Sequence, residues 1–197
     1  MANLEHTAAN LEKRGFSVRR FATGAEAAAY LNQAIDGKTV GFGGSLTLEQ
    51  LGLYGLLSSH NEVHWHWING PQERETARTV QVYVSSVNGL AETGELVNID
   101  GSGNRVSSTL YGHETVYLVI GRNKLADTYD EAVWRARNIA APKNAQRLGK
   151  KTPCALKAGR CYDCQSPERI CRALVTLWGP VTGQKTEILL VDEDLGL

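Results

Sequence analysis

TVYLVI, from Thr115 to Ile120, is a nearly unbroken apolar run of strand-forming residues. A run of that kind marks a strand buried on both faces, as in a parallel sheet whose two sides are covered by helices. The flanking pattern supports this. Downstream, Asp127 to Ala140 reads as a helix with Ala132, Ala136, Ile139 and Ala140 inward, stopped by Pro142. Upstream, short strands are expected around Phe16–Phe21, Lys38–Phe42, Val63–Ile68, Val80–Ser85 and Leu96–Ile99. Helices are expected over residues 2–14, from Thr23 to about Ile35, from Leu48 to Leu57 and from Gln72 to Thr79. Thr23 with Glu26 is a capping box, and Thr47 is the expected cap of the third helix. Leu174–Trp178 and Glu187–Val191 read as strands that close the chain as an antiparallel pair. Alternating strands and helices predict an α/β fold with a largely parallel sheet flanked by helices, followed by an irregular cysteine-rich segment near the C-terminus. With no internal repeat and no long linker, residues 1–197 read as one domain, with the cysteine-rich segment 150–172 included.

The composition bounds the function. With 42% hydrophobic and 21% charged residues, the chain is globular rather than disordered. A formal net charge of zero gives no global field to recruit nucleic acid or a membrane surface. The polar N-terminal stretch does not resemble a signal peptide, and no apolar run approaches the ~20 residues that span a bilayer. A cytoplasmic protein with reduced thiols is expected.

Three stretches carry candidate ligand chemistry. GFGGSLTLE (41–49) places Gly43, Gly44 and Ser45 between a strand and a helix, where backbone approaches an anion closely. It lacks the Lys-Ser/Thr of a Walker loop and the third glycine of a dinucleotide fingerprint, so a plain tight turn stands beside the anion reading. SSVNGLAETGELVNIDGSGNR (85–105) gathers Glu92, Glu95 and Asp100 with Asn88, Gly94, Asn104 and Arg105. Carboxylates beside a basic group suit acid–base work, and a polar hairpin is the structural alternative. RNIAAPKNAQRL (137–148) puts Lys143 and Arg147 four residues apart, a cationic helix face suited to phosphate or carboxylate. In HWHW (64–67) a strand would turn both tryptophans to the core and both histidines the other way, toward solvent or a polar partner; a His-x-His pair can also ligate zinc, but no third ligand lies nearby in the sequence.

All four cysteines fall within residues 154–171 as Cys154-x6-Cys161-x2-Cys164-x6-Cys171. The central Cys-x-x-Cys is the short bite of a tetrahedral metal or a cluster iron. Residues 143–172 hold eight Lys and Arg against two acids, a local formal charge of +6, so the remainder carries −6. Such surroundings favour thiolates. The candidates are zinc, an iron–sulfur cluster, or redox thiols and disulfides. Zinc is slightly favoured because protein would fill every ligand position. This segment reads as an appended site apart from the ligand site.

GFGGSLTLEQLGL (41–53), TGELVNIDGSGNRVSSTLYG (93–112), VYLVIGRNKL (116–125), AAPKNAQRL (140–148), TPCALKAGRCYDCQSPERIC (152–171) and VDEDLGL (191–197) resemble the lactate-utilization (LUD) domain family, in a compact form with a cysteine-bearing tail. The resemblance implies a fold like that of the ribose-5-phosphate isomerase, glucosamine-6-phosphate deaminase and CoA-transferase group. It implies a site lined by Gly43, Gly44 and Ser45, with Glu92, Gly94, Glu95, Asp100, Asn104 and Arg105 opposite. Some family members serve L-lactate oxidation in multi-protein, iron–sulfur-containing assemblies. Three functions follow as expectations: an accessory or electron-transfer-linked component of organic-acid utilization, a small-molecule enzyme of the isomerase/CoA-transferase type, or a zinc-stabilised binding module. The expected ligand is a small anion or organic acid. Other lactate-utilization subunits and a homo-oligomer are the expected partners, and nucleic acid and membrane are not.

Overall fold

The computed structural model describes residues 2–157 and 159–197. The first half of the chain runs α1 (Leu4–Lys13), β1 (Ser17–Phe21), α2 (Gly24–Ala34), β2 (Thr39–Phe42), α3 (Leu46–Gln50), α4 (Leu53–Leu57), β3 (Glu62–His64), α5 (Glu73–Thr76) and β4 (Val82–Ser85). It continues with β5 (Gly89–Ala91), β6 (Leu96–Asp100), α6 (Asn104–Leu110), β7 (Thr115–Gly121) and β8 (Leu125–Ala126). The remainder is α7 (Tyr129–Arg135), α8 (Ala141–Arg147), α9 (Pro153–Lys157), β9 (Ala173–Leu177) and β10 (Lys185–Val191).

Six strands in the order β1-β10-β7-β4-β2-β3 form one sheet, and every pairing in it is parallel. The apolar strand β7 sits inside it, as its composition demands. Its residues alternate between the two faces. Tyr117 and Val119 join Ala27, Leu31, Leu48 and Leu57 of the helices on one side. Val116, Leu118 and Ile120 join Ala8 and Leu11 of α1, with Leu90 and Leu96, on the other. A second sheet, β8-β5-β6-β9, packs on that second face and is mixed in direction. Among the described residues no helix is long and apolar enough to cross a membrane.

Several boundaries differ from expectation. The last two strands do not pair with each other. β10 inserts between β1 and β7, whereas β9 runs antiparallel to β6. The expected helix 48–57 is broken at Gly52, whose φ of +60° interrupts it, and its first cap position is Ser45 rather than Thr47. The strand at 63–68 stops at His64, because the N–H groups of Ile68 and Asn69 turn back onto the Trp65 carbonyl. Pro142 does not end its helix. A π-helical turn, Ala136–Ala140, separates α7 from α8, and proline is tolerated near a helix start, where its missing N–H has no intrahelical partner. The capping box at Thr23 and Glu26 is present as read.

Candidate functional site

Strands β2, β4 and β7 are neighbours, and the loops leaving their carboxyl ends meet at a cavity of about 450 Å³. Ligands collect at this end of open parallel sheets. After β2 come Gly43 and Gly44. A Cβ on Gly43 would lie 2.6 Å from Ser85 Oγ, and one on Gly44 would lie 3.0 Å from Trp67 Nε1. Both positions are glycine because neighbours press against the backbone. After β4 come Ser86, Val87 and Asn88, and after β7 a 3₁₀ turn, Arg122–Lys124, delivers Lys124.

Lys124 is 3% exposed. Its Nζ donates to Thr47 Oγ1 and to Ser86 Oγ, each at 2.8 Å. Burial, then the charges of Arg135 and Arg105, push its pKa down from 10.5 to about 7. Arg74, Arg147 and Lys150 also line the cavity. None of these four cations has an acidic partner among the described residues. In all, seven Lys and Arg side chains line the cavity against two acidic side chains, Asp100 and Glu168, and Leu197 also lines it. Trp67 forms a wall, stacked on Trp65 at 5.3 Å and covered by the Arg147 guanidinium at 4.6 Å. His66 also lines it, its pKa lowered by burial and then by Arg74.

The structure therefore brings Gly44, Ser45, Asn88, Asp100, Asn104, Arg105 and Arg147 to one cavity, with Gly43 packed against Arg105 behind the turn. Two of these have structural occupations. The Asp100 carboxylate accepts from the N–H groups of Ser102, Gly103 and Val106, capping the start of α6. Three such bonds give it a structural role as the cap of α6. Arg105 donates to the Ser86 and Ile99 carbonyls and to the side chains of Asn88 and Asn98, so its guanidinium ties the loop after β4 to β6.

Glu92, Gly94 and Glu95 are not among the cavity-lining residues. Glu92 accepts from the backbone N–H of Asn3 at 2.6 Å, and Glu95 accepts from Arg14 and Thr93. Gly94 packs on the Arg14 side chain. These residues fasten β5 and β6 to α1. Lys143 is exposed on α8 and does not line the cavity, although Arg147, one turn on, does.

A family model described as the LUD domain matches residues 4–191. The chain belongs to the LUD-domain family. Membership relates it, in general terms, to lactate utilization. The fold agrees with the crystal structure of a DUF162 family protein from Deinococcus radiodurans, at TM-score 0.58 and 13% identity over 95% of each chain. No curated protein matches the sequence.

The cysteine segment of this LUD-domain protein is no remote appendage. Pro167, Glu168, Arg169, Ile170 and Arg172 line the cavity, and Arg172 N–H donates to the Asp100 carbonyl at 2.9 Å. Arg169 donates to the carbonyls of Cys164 at 3.0 Å and Cys171 at 2.9 Å, and to Asp163. The Cys-x-x-Cys loop turns through Asp163 at φ 45°, and the Asp163 N–H points at Cys161 Sγ from 3.3 Å. All four thiols are free and half-buried. The donor chemistry suits a thiophilic metal. The arrangement does not yet supply a ligand set, since no three His, Cys, Asp or Glu side chains among the described residues are gathered to hold an ion. His64 is likewise occupied, bonded through Nδ1 to Glu73 at 2.6 Å.

Sequence reasoning missed Lys124, Arg74, Lys150, Thr47 and Ser86. For Lys124 a signal existed: a lysine directly after the carboxyl end of the most apolar strand, where a cation is buried at a ligand-prone edge.

Proposed function

We propose that this LUD-domain protein binds a small organic anion, of the hydroxy- or oxo-carboxylate class met in lactate utilization, in the cavity at the carboxyl ends of β2, β4 and β7. The observation that carries the reading is the group of Lys124, Arg74, Arg147 and Lys150 around one cavity, with no acidic partner among the described residues. Cations converging on a partly enclosed volume are stabilised by an anion, and the low local dielectric strengthens that attraction. The guanidinium groups suit a planar carboxylate, which they bind through paired N–H donors. Calorimetric titration with lactate, pyruvate and inorganic phosphate tests the reading. Saturable binding of a carboxylate that weakens as salt rises is expected. No heat with any of them would overturn it.

The finer role we propose is an accessory or electron-transfer-linked component acting with other lactate-utilization subunits, with Cys154, Cys161, Cys164 and Cys171 as the metal ligands. Four reduced thiols and the N–H bond to Cys161 Sγ support this. A bound cluster would carry one electron at a time, whereas zinc would only tie the segment down. Metal loading must draw the thiols together. Elemental and sulfide analysis of protein prepared without oxygen separates the two, and protein with neither zinc nor iron would refute the metal assignment. The second reading, a small-molecule enzyme of the isomerase/CoA-transferase type, is favoured by one feature, the buried amine of Lys124 in the cavity wall.

A further inference from the structure

The hydrogen bonds around Lys124 decide which way its amine can act. Ser86 Oγ gives its own proton to the Val119 carbonyl at 2.5 Å, so toward Lys124 the serine oxygen can only accept. The Thr47 hydroxyl has the Leu195 carbonyl at 3.4 Å as an outlet for its proton, and its oxygen likewise accepts from Nζ. Two N–H bonds of the amine are therefore directed into the protein in either charge state. In the neutral amine the remaining position is the lone pair. Lys124 lines the cavity and has no carboxylate among the described residues to hold a proton on it. Burial and the charges of Arg135 and Arg105 both disfavour the ammonium form. Desolvation beside other cations is a recognised way of making a lysine nucleophilic.

We propose that Lys124 is a catalytic amine that condenses with the carbonyl of a small oxo acid bound in this cavity, forming an imine. The proposal rests on the reading of the cavity as an organic-anion site, and it deepens that reading by requiring a carbonyl next to the carboxylate. The Nζ lone pair attacks the carbonyl carbon, and the C=O π pair moves to oxygen, which takes up a proton. That proton comes from solvent; one Nζ proton then passes to the hydroxyl, which leaves as water as the C=N bond forms, and Nζ keeps the other proton in the iminium. Addition of water reverses each step and regenerates the amine. Nothing is oxidised or reduced. The iminium withdraws electrons from the adjacent carbon, so bonds there, a C–H bond included, are weakened toward heterolysis. Ser86 and Thr47 hold Nζ before the attack, the single N–H of the iminium keeps one of those two bonds, and the surrounding guanidinium groups hold the carboxylate.

The test is reductive trapping on the full chain with pyruvate and sodium cyanoborohydride, read by intact mass and peptide mapping. One reduced adduct on the peptide containing Lys124 is expected. It should be lost with lactate, which has a hydroxyl in place of the keto group, and in Lys124→Arg, which keeps the charge without the nucleophile. It should be retained in Lys143→Arg, outside the cavity. If Lys124→Arg fails to fold, peptide mapping of the wild-type adduct decides alone. An adduct on other lysines, or none, overturns the proposal. Calorimetry with pyruvate and lactate, run alongside, separates the two levels. Pyruvate bound without an adduct removes the imine and leaves the anion site. No binding of either acid removes both.

Discussion

Replacing Lys124 with methionine deletes the buried amine and keeps an unbranched stem of similar length. The consequence for stability has a sign that depends on pH. Burial, then Arg135 and Arg105, hold the folded-state pKa at about 7 against an ordinary value of 10.5. Below about pH 7 both the folded and the unfolded chain carry the proton, and the folded state bears the full cost of burying the charge. Between about 7 and the ordinary value the unfolded chain binds more protons, so stability rises with pH. Above the ordinary value the penalty is gone. For this pair of pKa values, the stability of the wild type relative to Lys124→Met should grow by about 2 kcal/mol between about pH 7 and about pH 9. Near about pH 6 the variant should equal or exceed the wild type, even though Thr47 and Ser86 lose a donor. Urea unfolding of both proteins at three pH values measures this, and taking their difference cancels the titration of His66 and other cavity groups. Parallel stability profiles would refute the assignment of a destabilised ammonium at this position.

Four further outcomes follow from the geometry. Imine trapping at Lys124 should accelerate as pH rises through about 7, where the neutral fraction of the amine grows, and a flat rate profile between about pH 6 and about pH 8 would contradict it. Arg105→Leu strands the Asn88, Asn98, Ser86 and Ile99 acceptors and should cost roughly 2–4 kcal/mol of stability by chemical denaturation. Arg147→Ala removes an exposed guanidinium from the Trp67 face and should weaken carboxylate binding by calorimetry while leaving the melting temperature within a few degrees. Glu95→Gln weakens a tie between the β5–β6 turn and Arg14, the C-cap of α1, and should leave carboxylate affinity unchanged in the same titration.

The architecture was legible where a residue's neighbours are dictated by its own chemistry. TVYLVI had to be buried on both faces, and β7 lies inside the parallel sheet. Thr23 and Glu26 needed only each other to cap α2. The glycine turn at Gly43 and Gly44 was legible as a close approach, although its neighbours, Trp67 and Ser85, were not. Pairings set by tertiary choice were hidden. Nothing in Lys185–Val191 says that it inserts between β1 and β7, and the strands β5 and β8, of three and two residues, are too short to show a period. The carboxylates were misleading for a similar reason. Glu92, Glu95 and Asp100 lie close in sequence and suggest an acid–base group, but one caps α6 and two tie the second sheet to α1. Lys124 was overlooked because a single lysine in a turn reads as surface until its burial is known.

The central claim is that the cavity at the carboxyl ends of β2, β4 and β7 is an organic-anion site built around Lys124. Calorimetric titration of wild-type protein and Lys124→Met with pyruvate tests it most directly. The account predicts saturable binding to one site in the wild type and binding weakened by about tenfold or more in the variant, the loss expected when a buried charge or hydrogen-bond partner of the ligand is removed. Equal affinity in the two proteins, or no binding in either, would contradict it.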